Sequence, residues 1–360
     1  MARLRDTDPE RLGPFRLHGV LGSGTSGTVY LGRGAPRRGA RKRTVAVRAV
    51  RPELLRDRQL RARVRQETAH VAASVSSPFL AEPLGCELDS ERPWIASAFV
   101  PGRSVAALVS SYGPLPEMSV RALGGGVSRA LAALHTAGTP HRDLRPANVL
   151  LTADGPRLVD SGPSLGGSGR WGGRGGGGGP GGGGDPEGVG GLGGPDGSGA
   201  VGGLGSSGGP GAAGELGGSG GLGGSGGARG QGGLHGSGDA GGTWGTGDAG
   251  LADDVFRLGE LLVYAATARF PFAAHLLPSA REAPELSGVP EALRPTLLDC
   301  LHETPASRPR PATLARALDL SAMAERGADA WLPDPYLHDI DARADEARRL
   351  VGGVGGLFRR

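Results

Sequence analysis

From Phe15 to Val50 apolar and polar positions alternate in three runs, FRLHGVLG, GTVYLG and RTVAVRAV. A period of two with β-branched residues, broken by glycine-bearing turns, predicts three short strands. Residues 53–75 change to helical spacing, rich in Arg, Gln, Glu and Ala, and stop before SSPF. Strand patterning resumes at LAEPLGCEL and PWIASAFV. Between Pro116 and Gly138 the run EMSVRALGGGVSRALAALHTAG reads as a helix. Its interior holds Gly124, Gly125 and Gly126, each costing about 1 kcal/mol relative to alanine. Short strands then flank HRDLRPANVLL and PRLVDSG.

Beyond residue 162 the periodicity disappears. Most of the 70 glycines of the chain fall between residues 162 and 250. Such a segment has too few large apolar side chains to offset its ordering entropy, so a disordered insert is expected over 163–250. Helical periodicity returns at LADDVFRLGELLVYAATARFPF. Two or three more helices are expected up to about residue 320, broken at ELSGVPEAL and ETPASRPRPA, and the tail holds one charged helical stretch, DIDARADEARRL. The order is mostly β, then mostly α: an α+β chain of two lobes with a cleft between them. The expected segments are 12–100, 101–162, the insert 163–250, 251–320, and a tail 321–360.

Charge narrows the partners only a little. The formal net charge is +4 and the pI about 9.5, and Lys42 is the single lysine in a chain that otherwise uses arginine. The excess reads as arginine abundance and not as a concentrated basic patch, so no nucleic-acid partner is expected. The two cysteines, Cys86 and Cys300, form neither a disulfide framework nor a metal spacing and read as small buried hydrophobes. No apolar run approaches the ~18 residues of a membrane span. The start MARLRDTDPERLGPF has no apolar signal core, and a soluble, cytoplasmic protein is expected.

Chemistry concentrates in four short stretches. LGSGTSGTVY sets Gly22, Gly24 and Gly27 in G-x-G-x-x-G spacing. A dinucleotide fingerprint opens a helix, whereas TVYLG continues as a strand, so this loop joins two strands. A glycine-rich loop between strands lets backbone N–H groups approach phosphates, the arrangement of kinase-type lids. VAVR follows where V-A-x-K would stand. HRDLRPANVLL sets Asp143 five residues before Asn148, and DSG supplies Asp160 about a dozen residues further on. Transfer of a phosphoryl group to a hydroxyl needs such a set: a carboxylate at the nucleophile, and an amide oxygen with a second carboxylate for Mg²⁺.

With these pieces in order, the chain resembles the eukaryotic-like (Hanks-type) Ser/Thr protein kinases of bacteria, those of actinobacteria above all, over roughly 12–160 and 251–320. The resemblance implies a bilobal protein-kinase fold, β-rich then α-rich, binding ATP and Mg²⁺ and acting on Ser/Thr hydroxyls of proteins. It makes Asp143 the catalytic base and Asn148 and Asp160 the metal ligands. Arg145 stands where relatives use a lysine on the γ-phosphate. Glu67, in RQETAHVA, matches the helix glutamate that orients the strand-three basic residue, here Arg48. Val29, Ala46 and Leu150 match the apolar positions around adenine, and Ala98 and Val100 the hinge backbone. Asp254 resembles the buried aspartate that braces the catalytic loop, and His141 is expected to be a packed structural histidine. Oligomeric state is left open.

Three departures from the family pattern bear on activity. Arg48 replaces the lysine on the α- and β-phosphates, and Ser161 replaces the phenylalanine that follows the metal aspartate. Glycine-rich chain takes the place of the activation segment, and no A-P-E precedes Asp254, so Arg308 lacks the family's glutamate partner. GGTWGTGDAG is only faintly similar to the family's G-T-x-G stretch, which would make Thr243 the platform threonine. Two functions remain in view: a Ser/Thr kinase in which arginine has drifted into lysine positions, with impaired activity, or a nucleotide-binding regulatory scaffold that has lost catalysis.

Overall fold

The computed structural model describes residues 1–160, 248–272, 283–319 and 331–352, all within one compact unit. Ser161, Thr243 and nearly all of the expected insert lie outside the described residues.

The alternating runs form a six-stranded antiparallel sheet in the order β1-β2-β3-β4-β6-β5. Its strands are β1 (Arg11–Leu12), β2 (Phe15–Gly24), β3 (Gly27–Gly34), β4 (Arg43–Val50), β5 (Pro83–Glu87) and β6 (Trp94–Ala98). The period of two decides which side chains enter the core. Phe15, Leu17, Val45, Val47 and Ala96 are buried on one face, with Trp94 edge-on to Phe15 at 5.4 Å. Ala46 and Arg48 therefore take the other face. Helix α1 (Arg58–Ser74) starts where the Asp57 carboxylate accepts a hydrogen bond from the Gln59 N–H at 2.7 Å, an N-cap. Val64 of α1 packs with Val50, Leu55 and Leu88.

The second lobe is helical around a small sheet of β7 (Arg103–Ser104), β8 (Val149–Thr152) and β9 (Gly155–Leu158). Its helices are α2 (Val105–Tyr112), α3 (Glu117–Thr136), α4 (Ala249–Thr267), α5 (Arg294–Cys300), α6 (Pro311–Ala317) and α7 (Asp334–Gly352). The three glycines inside α3 have a packing reason. A Cβ on Gly126 would lie 2.4 Å from Pro156 Cγ in the β8–β9 hairpin, and one on Gly124 would lie 2.6 Å from Leu318 Cδ1. The helix gives up intrinsic propensity so that two neighbours can approach its backbone.

The charged tail is docked in this fold. Trp331 Nε1 donates to Ala153 O at 2.9 Å, and Ser119 Oγ donates to Trp331 O at 2.7 Å. Tyr336, Ile340 and Ala347 are buried on one side of α7, and Tyr336 meets Tyr112 at 5.0 Å between ring centroids. Asp339 pairs with Arg103 at 3.2 Å, and Arg343 donates to Leu21 O at 3.4 Å. The helix thus spans from α2 to the strand that carries the glycine-rich loop. Chemical denaturation of Ile340→Ala should reveal a loss of roughly 2–4 kcal/mol, as for a buried isoleucine. A change near zero would mean that α7 is undocked in solution.

Candidate active site

The site lies on the face of the six-stranded sheet that carries Ala46 and Arg48. β2 and β3 pair in register to Gly24↔Gly27 and turn tightly through Thr25 and Ser26. Gly27 has φ +140°, and a Cβ there would meet Ala49 O at 1.8 Å, so only glycine fits. A Cβ at Gly22 or Gly24 would meet nothing within 4 Å, which leaves space at the loop. The tip is held from below: Arg48 Nη1 donates to Ser26 Oγ at 3.0 Å, and Arg51 Nη2 to Gly24 O at 3.0 Å.

Val29 stands opposite Arg48 across β3 and β4, and Ala46 opposite Leu31. On β8, Leu150 is half-buried between the fully buried Val149 and Leu151. The segment leaving β6 is fixed by Ala98 N–H donating to Glu82 O at 2.8 Å and Phe99 N–H to Thr44 O at 3.3 Å. After it, Gly102 N–H closes on Val100 O at 2.9 Å.

The loop between α3 and β8 is built around a buried carboxylate. Asp254, in α4 and 1% exposed, accepts from His141 N–H at 2.7 Å, Arg142 N–H at 2.8 Å and His135 Nε2 at 2.9 Å. This holds Arg142 at φ +67°, a left-handed backbone uncommon for a residue other than glycine. His141 is fully buried. Its Nδ1 accepts from Asp143 N–H at 3.3 Å, so Nε2 carries the proton and donates to Val159 O at 3.0 Å. The imidazole is a strut between the two acidic stretches, as expected of a structural histidine. Val159 N–H in turn donates to Asn148 O at 2.9 Å.

The polar residues quoted from the sequence come together here. Asn148 Nδ2 donates to both Asp143 O at 2.9 Å and Asp143 Oδ2 at 2.8 Å, so the amide oxygen is the atom left to accept. Arg145 Nε lies 3.5 Å from Asp143 Oδ2. Asp160, at φ +63°, pairs with the guanidinium of Arg48.

One expected pairing is replaced. Glu67 does not engage Arg48: it accepts from Arg142 Nη1 at 2.6 Å and from Arg63 Nε at 3.0 Å. Arg48 is spent on Ser26 and Asp160, and Arg142 reaches α1 from the loop between α3 and β8 in its place. Sequence reasoning did not single out Ser26 or Arg142, although both lie inside the stretches it quoted. Arg308 is held by carbonyls, donating to His302 O at 2.9 Å and Ala252 O at 3.0 Å, and lies over the Phe256 ring at 4.8 Å.

No cluster of three or more His, Cys, Asp or Glu side chains suited to a metal occurs among the described residues. A dication held by one or two protein oxygens and completed by phosphate and water needs no such cluster. The donor set fits that demand. Asn148 is turned so that its oxygen is available, and the Asp160 carboxylate already sits against a cation.

A glycine-rich hairpin over a cleft, an aspartate and asparagine joined on one loop, and a second aspartate after β9 define a protein kinase domain. Residues 15–165 match the family described as the protein kinase domain. The chain is 32% identical over 351 residues to the serine/threonine-protein kinase AfsK of Streptomyces coelicolor, covering 95% of this chain and 36% of that protein. It is 29% identical over 342 residues to the probable serine/threonine-protein kinase PkwA of Thermomonospora curvata, covering 94% and 37%. It thus spans little more than a third of the length of these relatives. Among solved structures, the PknI kinase domain of Mycobacterium tuberculosis superposes with a TM-score of 0.52 at 19% identity, covering 86% of this chain and 96% of that one. The chain belongs to the eukaryotic-like bacterial Ser/Thr protein kinases of the actinobacterial type.

Proposed function

We propose that the chain transfers the γ-phosphoryl group of ATP to serine or threonine hydroxyls of proteins. The observation that carries this is the Asp143–Asn148 pair on a loop locked by Asp254 and bonded through Asn148 O to Val159, the residue before Asp160, which is ion-paired with Arg48. In this reading the backbone of Gly22, Gly24 and Gly27 covers the phosphates, Val29, Ala46 and Leu150 enclose adenine, and Ala98 and Val100 present hinge backbone to its edge. Asp143 accepts the proton of the attacking hydroxyl as the new O–P bond forms and the bond to the β-phosphate oxygen breaks. Arg145, beside Asp143, would meet the charge of the transferred group. Asn148 and Asp160 would hold Mg²⁺, which supplies charge neutralisation on the phosphates. Among the described residues no helix is long and apolar enough to cross a membrane, and the cytoplasm is the compartment that supplies this chemistry with ATP.

The names of the relatives as Ser/Thr protein kinases support this reading over a nucleotide-binding scaffold without catalysis. Ser/Thr preference rests on DLRPAN, which is similar to the family's D-L-K-P-x-N with one basic exchange. Label transfer from radioactive ATP to a Ser/Thr-bearing protein tests it. Wild type should transfer in a divalent-metal-dependent way, and Asp143→Asn should lower the rate about 100-fold without changing Tm. Equal transfer by both proteins, or none by wild type, would overturn the assignment.

A further inference from the structure

The expectation of scattered charge fails at the end of the six-stranded sheet opposite the glycine-rich tip. Register places Arg11 opposite Arg16 and Arg16 opposite Arg33, three arginines in a row across β1, β2 and β3. Like charges directly opposite one another destabilise a strand pair. Arg37, Arg38 and Lys42, from the β3–β4 connection, close the same region, and together these groups line a cavity of about 950 Å³. No carboxylate lines it, and none of the six cations has an ion-pair partner among the described residues. By contrast, Arg43 of the same connection is bidentate on Glu82. His18, also in the lining, has its pKa lowered by burial and by Arg16 and Arg33, which agrees with a strongly positive field there. The end of α7, at Val351 and Gly352, forms another wall.

We propose that this cavity is a phosphoryl-anion site that receives a phosphorylated Ser/Thr segment of a protein partner. Guanidinium forks match phosphate oxygens in paired hydrogen bonds, and cross-strand neighbours are close enough for several to share one dianion. An anion among them also removes the repulsion that the register imposes. The cavity is concave and of the size that suits a small group. A lipid surface would call for exposed large apolar side chains, and among the described residues these are Tyr112 and Leu298, neither in the lining. Single-stranded nucleic acid would call for a series of aromatic stacking platforms, and His18 is the one aromatic ring among the described lining residues. The choice of a phosphopeptide rests on the kinase reading, since such a chain makes that chemical group. The site itself does not.

Fluorescence anisotropy without nucleotide keeps the two apart, because no phosphoryl transfer can occur in it. A labelled phosphoserine peptide should bind, its unphosphorylated twin should not, and inorganic phosphate should displace it. Arg16→Gln with Arg33→Gln should weaken binding at least about tenfold, since charge-assisted contacts are lost, while Tm stays equal or rises. Arg56→Gln with Arg58→Gln, which removes the same charge elsewhere, should leave binding unchanged. Equal binding of the two peptides would overturn the proposal. So would equal loss in both double variants, or preference for anionic vesicles or single-stranded DNA over the phosphopeptide.

Discussion

Asp254→Ala should cost about 3–5 kcal/mol of stability in urea denaturation and reduce phosphoryl transfer by at least about 100-fold. The carboxylate is 1% exposed and takes three hydrogen bonds, two of them from the consecutive N–H groups of His141 and Arg142. Removing it leaves buried donors without an acceptor, each worth roughly 1–3 kcal/mol. It also frees Arg142 from its left-handed backbone, a conformation that persists only while its surroundings hold it. Asp143 follows directly in the chain, so its carboxylate and the bound Asn148 lose their placement together. Asp254→Asn keeps the volume but turns an amide donor toward a backbone donor, and it should recover little of either loss. A variant that is destabilised yet turns over normally would show that the loop is held by other contacts.

How much of this was legible beforehand follows from which features are local. Strands β2, β3 and β4 were readable because their alternation is local and one face is buried. Asp143, Asn148 and Asp160 were readable because their spacing is short. Helix α2 had no place in the sequence reading: VAALVSSY is apolar around most of its circumference and too short to display a period. The glycines of α3 looked like a cost, since the reason for them lies in Pro156 and Leu318, distant in sequence. The tail read only as a charged helical stretch because Tyr336, Ile340 and Ala347 are sparse along it, and only docking shows that they share a buried side. The arginine row depends on strand register, which composition does not carry. Glu67 illustrates a further limit: its position in α1 was readable, but whether it meets Arg48 or Arg142 depends on two arginines competing in three dimensions.

That competition sets the last expectation, that Arg48→Lys raises the rate of transfer, by up to about 100-fold. A guanidinium is a wide planar fork, and an ammonium is a compact charge on a slim stem, so the two are not exchangeable in a tight phosphate site. Here the fork divides its donors between Ser26 Oγ and the Asp160 carboxylate, tying the glycine-rich tip to the residue that would hold the metal. To load nucleotide and metal, that tie must open, and a phosphate placed about 1 Å away from its best position can lose on the order of 100-fold in rate. Lysine has a single ammonium and cannot bridge Ser26 and Asp160 as the two-armed fork does, so the tie between the loop tip and the carboxylate is broken. The measurement is steady-state transfer by wild type, Arg48→Lys and the double variant with Ser26→Ala. If releasing the tip is what matters, Ser26→Ala alone should give part of the gain, and the double variant little beyond Arg48→Lys. If Arg48→Lys instead lowers an activity that Asp143→Asn abolishes, the cleft has adapted to arginine, and the fork is part of how this kinase grips its phosphates.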